Sequence, residues 1–396
     1  MKKWILAMVG AAWGCCSAQA KPLVYEGGEG IGKGKHIVFL ANDHEYRSEQ
    51  TCPLLAKILA KHHGFKCTVL FGLHEDGTIG AGVNNVPDLE VLKEADLLFF
   101  YTRFMNLPDE QSAALVDYFE RGGPVVGART STHPFNGIKG VWEKLNFNYK
   151  GDDYPGGFGE QIFGNTWNKE RGQSHYGQNH QKGARITPVD ASASHPILKG
   201  VESIHAYSGA YKSQVPEGGT DLLKVQVLET FEPGGKISTD KPLVSGGWTR
   251  DHYVAPSGVK KDARVVYASY GASEDLLSEG GRRFFVNGCL WALGLEQAIE
   301  PDLNVSIVGE FIPDAYSSHV LYRVGVKPAD LAGFDSQIMP SDAPRANVSD
   351  PDSLSRVMRT LPNRPMLKKE LAAAYPALYG PDAKPSAKPQ RKKKKK

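Results

Sequence analysis

Short apolar runs separated by polar segments mark the strands of this chain. They cover residues 36–42, 67–71, 96–102, 124–128 and 264–270. Runs of this length without polar alternation are typical of strands that are buried on both faces of a sheet. The pattern therefore predicts five buried strands.

Between these runs, apolar residues recur at the spacing of a helix. The leucines and isoleucine of residues 54–59 fall on one helical face, behind Ser48 as a capping residue and ahead of Gly64 as a terminator. Further helices are predicted over residues 87–95, 108–121 and 279–293.

This alternation of strands and helices, with short connections, predicts an α/β fold. The sheet is expected to be doubly wound and mostly parallel, with helices on both faces. Residues 140–260 interrupt the pattern, because they are rich in Gly, Asn, Tyr and Trp and have weaker periodicity. The chain shows no internal repeat.

The first twenty residues resemble a secretory signal peptide. Lys2 and Lys3 precede an apolar run over residues 4–16, and Ala18 and Ala20 supply small residues for cleavage after Ala20. We expect export to the periplasm or the exterior, with an uncleaved anchor or a lipoprotein as alternatives. No later stretch reaches the ~20 apolar residues of a membrane span.

Residues 21–34 form a glycine-rich segment that we expect to be a flexible lead-in. Its Gly27–Gly34 pattern resembles a phosphate-binding loop. However, the segment precedes the first strand instead of following it, and Gly34 stands where that motif requires Ser or Thr. The sequence therefore predicts no phosphate site here.

The other end of the chain is strongly basic. Residues 384–396 carry eight positive charges, whereas the whole chain carries only +3, so the charge without this tail is −5. Such a tail is expected to be disordered, either solubilising the protein or touching an anionic surface weakly. The mildly acidic remainder argues against nucleic-acid binding. Residues 301–383 form a C-terminal appendage with a predicted strand at Val305–Val308, and no oligomeric state is predicted.

Three cysteines remain after the signal peptide: Cys52, Cys67 and Cys289. An odd and sparse set does not make a disulfide framework. A single Cys52–Cys67 bridge and three buried thiols are the two possibilities that the sequence leaves open.

Polar residues follow three of the predicted strands where each strand ends. The ends are residues 42–47, 102–104 and 129–133. Because the carboxyl ends of parallel strands meet at one edge, these residues are expected to line one polar-ligand site. His175 and His180 lack a third and fourth partner at metal-ligand spacing, so no metal and no cofactor are predicted.

Several segments together resemble the ThuA-like (trehalose-utilisation) family over residues 35–300. The segments are Asp43–Ser48, Thr102–Phe104, Gly127–His133, Ser194–Ile197, Gly247–Arg250, Gly271–Leu276 and Arg282–Gly294. The resemblance implies a flavodoxin-like fold of the class I glutamine amidotransferase type. In those enzymes a cysteine occupies a strained turn after a strand.

Here the corresponding turn, Gly127–Ser131, contains no cysteine. We therefore expect no glutaminase activity, although Ser131 is considered as a substitute nucleophile. Some family members carry a histidine after the glycine of the late strand, but this chain has Ala272 there, so that role is not transferred.

The resemblance implies metabolism of a carbohydrate, including keto (oxidised) sugars. Our first hypothesis is an enzyme that isomerises or cleaves such a sugar by proton abstraction next to a carbonyl. We assign His133 or Glu45 as the base and Arg129 with Arg103 as oxyanion donors. The residues expected to bind the sugar are Asp43, His44, Tyr46, Thr130, Trp167, His175, Trp248 and Arg250, and Tyr154 is a further candidate face for stacking. A non-catalytic carbohydrate-binding or scaffolding protein is the alternative.

Overall fold

The computed structural model describes residues 21–43, 45–80, 82–167, 174–176, 182–316, 321–349 and 365–383. The strands are Leu23–Tyr25 (β1), His36–Asn42 (β2), Lys66–Phe71 (β3), Leu97–Thr102 (β4), Val125–Ala128 (β5), Ser174–Tyr176 (β6), Ala184–Pro188 (β7), Ile204–Ala206 (β8), Ala210–Lys212 (β9), Thr220–Val227 (β10), Val244–Val254 (β11) and Lys260–Ala268 (β12). The α-helices are Ser48–His63 (α1), Asp109–Glu120 (α2), Gly157–Phe163 (α3), Glu279–Ala292 (α4), Pro365–Ala374 (α5) and Pro376–Tyr379 (α6). The predicted helix over residues 87–95 is a 3₁₀ helix at Leu89–Glu94.

Ten of these strands form one sheet in the order β1-β3-β2-β4-β5-β12-β11-β10-β7-β8. Strands β3, β2, β4, β5 and β12 pair in parallel, and the strands on both sides of them pair antiparallel. The prediction of an α/β fold is confirmed, but the sheet is mixed instead of mostly parallel. The antiparallel half comes from residues 184–254, where glycines and half-buried strands weaken the apolar pattern.

Helices cover both faces of the sheet, as the alternation predicted. Successive residues of β4 point to opposite faces. The ring of Phe99 lies 5.5 Å from that of Phe285 in α4, whereas the ring of Phe100 lies 6.4 Å from that of Phe119 in α2. Helices α1 and α4 therefore pack on one face, and α2 and α3 on the other.

The predicted flexible lead-in contains an ordered strand, which corrects that expectation. Strand β1 pairs antiparallel with β3 and extends the sheet at its edge. Tyr25 is buried, and its hydroxyl donates a hydrogen bond to the carbonyl of Leu331, 2.8 Å away. By this pairing, β1 covers the backbone groups of β3 that would otherwise be unpaired at the edge of the sheet.

The C-terminal segment is residues 301–383, and its described residues between 305 and 339 pack on the same face as α1 and α4. Val305, Leu331 and Ile338 are buried in the core that these helices form. The prediction of a strand at Val305–Val308 is wrong, because the backbone there forms no sheet pairing and the carbonyl of Val305 accepts from the side chain of Arg282 instead.

Cys52, Cys67 and Cys289 are free and buried, so the Cys52–Cys67 bridge does not form. Burial raises the pKa of all three thiols. In the part of the chain that the structure describes, no helix has both the length and the apolar character needed to cross a bilayer. The predicted signal peptide and basic tail lie outside the described residues.

Candidate functional site

Three loops that follow parallel strands share an unusual backbone conformation. Arg47 after β2, Phe104 after β4 and Arg129 after β5 have φ values of 65°, 50° and 44°. Residues other than glycine rarely adopt this left-handed conformation, and it persists only where surrounding contacts hold it. Such strain concentrates at functional sites, so this edge of the sheet is the candidate site.

Asp43 joins two of these loops. One carboxylate oxygen accepts hydrogen bonds from the backbone N–H groups of Glu45 and Tyr46, both at 2.6 Å, and the other accepts from the hydroxyl of Thr130 at 2.5 Å. The side chain is 1% exposed. Asp43 and Thr130 therefore hold the loops together, which differs from the direct sugar contact that the sequence suggested.

Arg129 is fully buried behind the site. Its two terminal nitrogens donate to the carbonyls of Ser208, Gly209 and Ser269 at 3.0–3.2 Å. The guanidinium lies between two aromatic rings, 3.9 Å from the centroid of Tyr46 and 4.6 Å from that of Tyr211. It is therefore closed off from a ligand, which differs from the direct oxyanion contact that the sequence suggested.

The charge of Arg129 persists despite its burial. Burial alone would lower its pKa, but Tyr46, Tyr211 and Asp275 outweigh this effect and raise the pKa above its ordinary value. Asp275 is itself buried and accepts hydrogen bonds from the backbone N–H and the hydroxyl of Ser208. Arg129 is thus a fixed positive charge beneath the site.

Glu45 and Arg103 form an ion pair at the surface of the site. Their side chains are 11% and 17% exposed, and a terminal nitrogen of Arg103 lies 3.1 Å from a carboxylate oxygen of Glu45. The two atoms are at ion-pair distance without the alignment of a hydrogen bond. Burial opposes the charge of Arg103, but Glu45 and Asp43 outweigh it and raise its pKa.

Aromatic rings surround His133, which is 1% exposed. Its ring centroid lies 5.2 Å from that of Phe104, 5.1 Å from that of Trp167 and 5.9 Å from that of Tyr211. Trp167 also contacts His175, an exposed residue of β6, at 4.8 Å. The strand-end site, as we call it, consists of Asp43, Glu45, Tyr46, Arg103, Phe104, Arg129, Thr130, His133, Trp167, His175 and Tyr211.

Three other predicted binding residues lie elsewhere. Trp248 is fully buried, packs 4.6 Å from Tyr267 and donates to a backbone carbonyl of α3. Arg250 donates to two further carbonyls of α3, and Tyr154 is buried with its hydroxyl bonded to β11. These three residues support the fold, and the structure does not bring them to the strand-end site. His44 and His180 lie outside the described residues.

Ser131 is locked by its own turn. Its hydroxyl oxygen accepts from the backbone N–H of Ala128 and lies within hydrogen-bond distance of the carbonyls of Phe100 and Ala128. The turn is also tightly packed, because a Cβ at Gly159 of α3 would lie 1.8 Å from the carbonyl oxygen of Thr132. Ser131 is therefore a structural residue, and the considered role as a nucleophile is not supported.

Sequence reasoning missed Tyr211 and gave Asp275 no role. Tyr211 lies on the short strand β9, outside any periodic pattern, and no sequence signal singles it out. Asp275 belongs to the Gly271–Leu276 segment of the family resemblance, which was the available signal for it.

A groove beyond the end of β3 lies away from these residues. Its volume is about 1080 Å³, and its lining includes His74, Asn85, Gln111 and Lys327. It contains none of the predicted site residues, so we base the site on the strained loops and their charges. Among the described residues, no group of three or more His, Cys, Asp or Glu side chains could hold a metal ion.

Some solved structures of other proteins are similar to this chain. A scan of family models found no match, and no curated protein matches the chain. One similar solved structure is a ThuA-like protein from Parabacteroides merdae, with 15% identity, a TM-score of 0.37 and coverage of 72% of this chain and 95% of that one. Another is an exo-β-1,4-mannosidase from an Opitutaceae bacterium, with 10% identity, a TM-score of 0.28 and coverage of 66% and 36%.

Proposed function

We propose that the protein binds a keto sugar or its glycoside at the strand-end site and abstracts a proton next to the carbonyl. The observation that carries this proposal is the grouping of His133 with the Glu45–Arg103 ion pair at a partly open aromatic surface. Flat aromatic faces suit the C–H surfaces of a sugar, and the polar groups suit its hydroxyl and carbonyl oxygens.

The proposed reaction breaks a C–H bond beside the carbonyl. The base, Glu45 or His133, takes the proton, the electron pair forms a C=C bond, and the carbonyl oxygen becomes an oxyanion. Arg103 is the donor that can touch this oxygen, and buried Arg129 adds a fixed positive charge behind it. Return of the proton to the former carbonyl carbon, while the hydroxyl proton of the deprotonated carbon moves to the oxyanion, isomerises the sugar. Alternatively, the oxyanion re-forms the carbonyl and expels a β-oxygen substituent, which takes the proton from the base, and this cleaves the glycoside.

We further propose that the chain is a ThuA-like protein with a flavodoxin-like core. In chain order, the parallel strands β3-β2-β4-β5-β12 read 2-1-3-4-5, which is the flavodoxin-like order. The left-handed turn at Arg129 supports a comparison with nucleophile elbows. Since the turn holds a guanidinium and no thiol, the proposal excludes glutamine hydrolysis.

Export is part of the proposal and rests on the sequence of the first twenty residues. The purified mature protein should begin at Lys21. N-terminal sequencing of protein from its source tests this, and retention of Met1 would contradict export with cleavage after Ala20.

The catalytic proposal is tested by NMR in heavy water. The protein is incubated with trehalose, methyl glucoside and the 3-keto forms of both. Exchange of the proton beside the carbonyl for deuterium is expected, and Glu45→Gln or His133→Gln should slow it by about 10²–10⁴-fold if that residue is the base. His195→Gln is the matched control, because its ring also lies against a tryptophan, 5.4 Å from Trp291.

A non-catalytic carbohydrate-binding protein is the second candidate. It is favoured by the burial of His133 and by the carbonyls that already occupy the terminal nitrogens of Arg129. Sugar binding without deuterium exchange would establish this alternative. Absence of both binding and exchange for every sugar tested would reject both functions.

A further inference from the structure

Five side chains form one continuous stack from the strand-end site into the C-terminal segment. Trp167 lies 4.9 Å from Tyr211, Tyr211 lies 4.6 Å from the guanidinium of Arg129, and that group lies 3.9 Å from Tyr46. The ring of Tyr46 then stacks on that of Tyr316 at 5.6 Å, with 24° between the ring planes. We call this series the stacked column.

The end of the column that lies in the C-terminal segment is firmly anchored. Tyr316 is 2% exposed and follows Asp314, which is equally buried. Asp314 pairs with Arg345 at 2.6 Å and with Arg323 at 3.2 Å, and it exchanges two hydrogen bonds with Gln50 of α1. The ring of Tyr316 is therefore held from a network outside the strand-end site.

The middle of the column governs the geometry of the site. Arg129 has a strained backbone and begins the 3₁₀ helix Arg129–Thr132, which places Thr130 against Asp43 and leads directly to His133. The strain persists because contacts on both sides of the guanidinium hold it. If the ring of Tyr46 or Tyr211 no longer packed on the guanidinium, the turn that carries these residues would lose its support.

We propose that Tyr316 is a positioning residue for the strand-end site and that it acts through Tyr46 and Arg129. The C-terminal segment is then a working part of the site, although it touches no ligand. The effect of Tyr316 on the position of Trp167 does not depend on which ligand binds. An effect of Tyr316 on sugar binding and turnover rests on the function proposed above.

The experiment measures Trp167 in the ligand-free protein. The chain contains six tryptophans, so its signal is taken as the difference between each protein and the same protein carrying Trp167→Phe. Emission wavelength and quenching by acrylamide are recorded for Tyr316→Ala, Tyr316→Leu and Tyr316→Phe. The leucine variant fills the space without stacking, and the phenylalanine variant keeps the ring.

Phe334→Ala is the matched control, because Phe334 also lies in the C-terminal segment and stacks on Tyr25 at 6.0 Å with 25° between the ring planes. Tyr316→Ala and Tyr316→Leu should raise acrylamide quenching of Trp167 at least about twofold and shift its emission to longer wavelength, since a loosened column opens locally. Tyr316→Phe and Phe334→Ala should match the wild type.

If Tyr316→Leu is folded by circular dichroism and leaves the Trp167 signal unchanged, the proposal is wrong. An equal change in Phe334→Ala would also overturn it, because the effect would then come from general loosening of the C-terminal segment. Binding of 3-keto methyl glucoside, measured in parallel, should weaken in Tyr316→Leu and recover in Tyr316→Phe. A wild-type protein that binds no sugar rejects the proposed function but leaves the fluorescence test of positioning intact.

Discussion

Removal of the Arg129 side chain tests whether the guanidinium is a structural anchor of the site. If Arg129 were only an oxyanion donor, the role assigned from the sequence, Arg129→Ala would leave the fold intact. The structure predicts a different result, because the side chain is fully buried and donates to three carbonyls. Its loss would leave those carbonyls without their donor and two tyrosine rings without the cation between them.

The expected magnitude follows from these contacts. A buried acceptor that loses its partner costs about 1–3 kcal/mol, and a buried cation–π contact contributes about 1–2 kcal/mol. Removing a buried charge recovers desolvation energy, and water can enter the space, so the terms do not add fully. We expect Arg129→Ala to lower the free energy of unfolding by about 4 kcal/mol and Arg129→Lys, which keeps the charge but not the fork, by about half as much.

Urea unfolding followed by far-ultraviolet circular dichroism measures this change. A double-mutant cycle with Tyr211→Leu should give a coupling energy of about 1 kcal/mol, because the ring and the guanidinium are in contact. Arg250→Ala is a control for the loss of a half-buried arginine that binds carbonyls outside the site. The anchoring role would be refuted if Arg129→Ala lowered the free energy of unfolding by less than about 1 kcal/mol while the m-value in urea stayed unchanged.

Three further predictions concern pH, the C-terminal segment and catalysis. Burial raises the pKa of Glu49 from 4.5 to about 7, so folding stability should fall as the pH rises through this range. In Glu49→Gln the free energy of unfolding should fall by up to about 3 kcal/mol less over the same pH range, as measured by urea unfolding at several pH values. If this variant has the same pH profile as the wild type, the carboxyl of Glu49 is not buried in its charged or neutral form as described. Asp314→Ala should lower stability by about 3 kcal/mol in the same assay, because two buried arginines lose their buried carboxylate and keep only the partly exposed Glu370. A loss below about 1 kcal/mol would be inconsistent with that network. No ammonia should be released from glutamine above a buffer blank. Release that disappears when Cys52, Cys67 or Cys289 is replaced by Ala would refute the prediction that the protein has no glutaminase activity.

Much of the parallel sheet follows from the sequence, whereas its antiparallel half does not. The continuous apolar runs of β2, β4 and β5 end within two residues of their predicted bounds, because strands buried on both faces admit few polar residues. Strand β10 alternates between buried and partly exposed positions, and β11 contains two adjacent glycines. Pairing with distant strands, and not local pattern, makes these residues strands.

The convergence of the strand ends was also predictable, since the loops that follow parallel strands lie at one edge of the sheet. How deeply each side chain is buried could not be predicted. Carbonyls of Ser208, Gly209 and Ser269 bury Arg129, and these residues lie far from it in the sequence. Tyr211 likewise arrives from a strand that no periodicity reveals. Local sequence thus indicates which residues meet, whereas long-range packing decides which of them a ligand can touch.

The turn after β5 presents a guanidinium and no thiol, and this determines the chemistry available at this edge. A strained turn presents a nucleophile when its side chain projects outward, but Arg129 projects inward, between Tyr46 and Tyr211. A fixed, buried positive charge cannot form a covalent intermediate, yet it lowers the free energy of negative charge that develops nearby, most strongly where water is excluded. The proposed reaction needs this, because its oxyanion forms beside Arg103 and in front of Arg129. The arrangement therefore favours stabilisation of an anion over nucleophilic attack, and this favours proton abstraction over acyl transfer as the chemistry of the site.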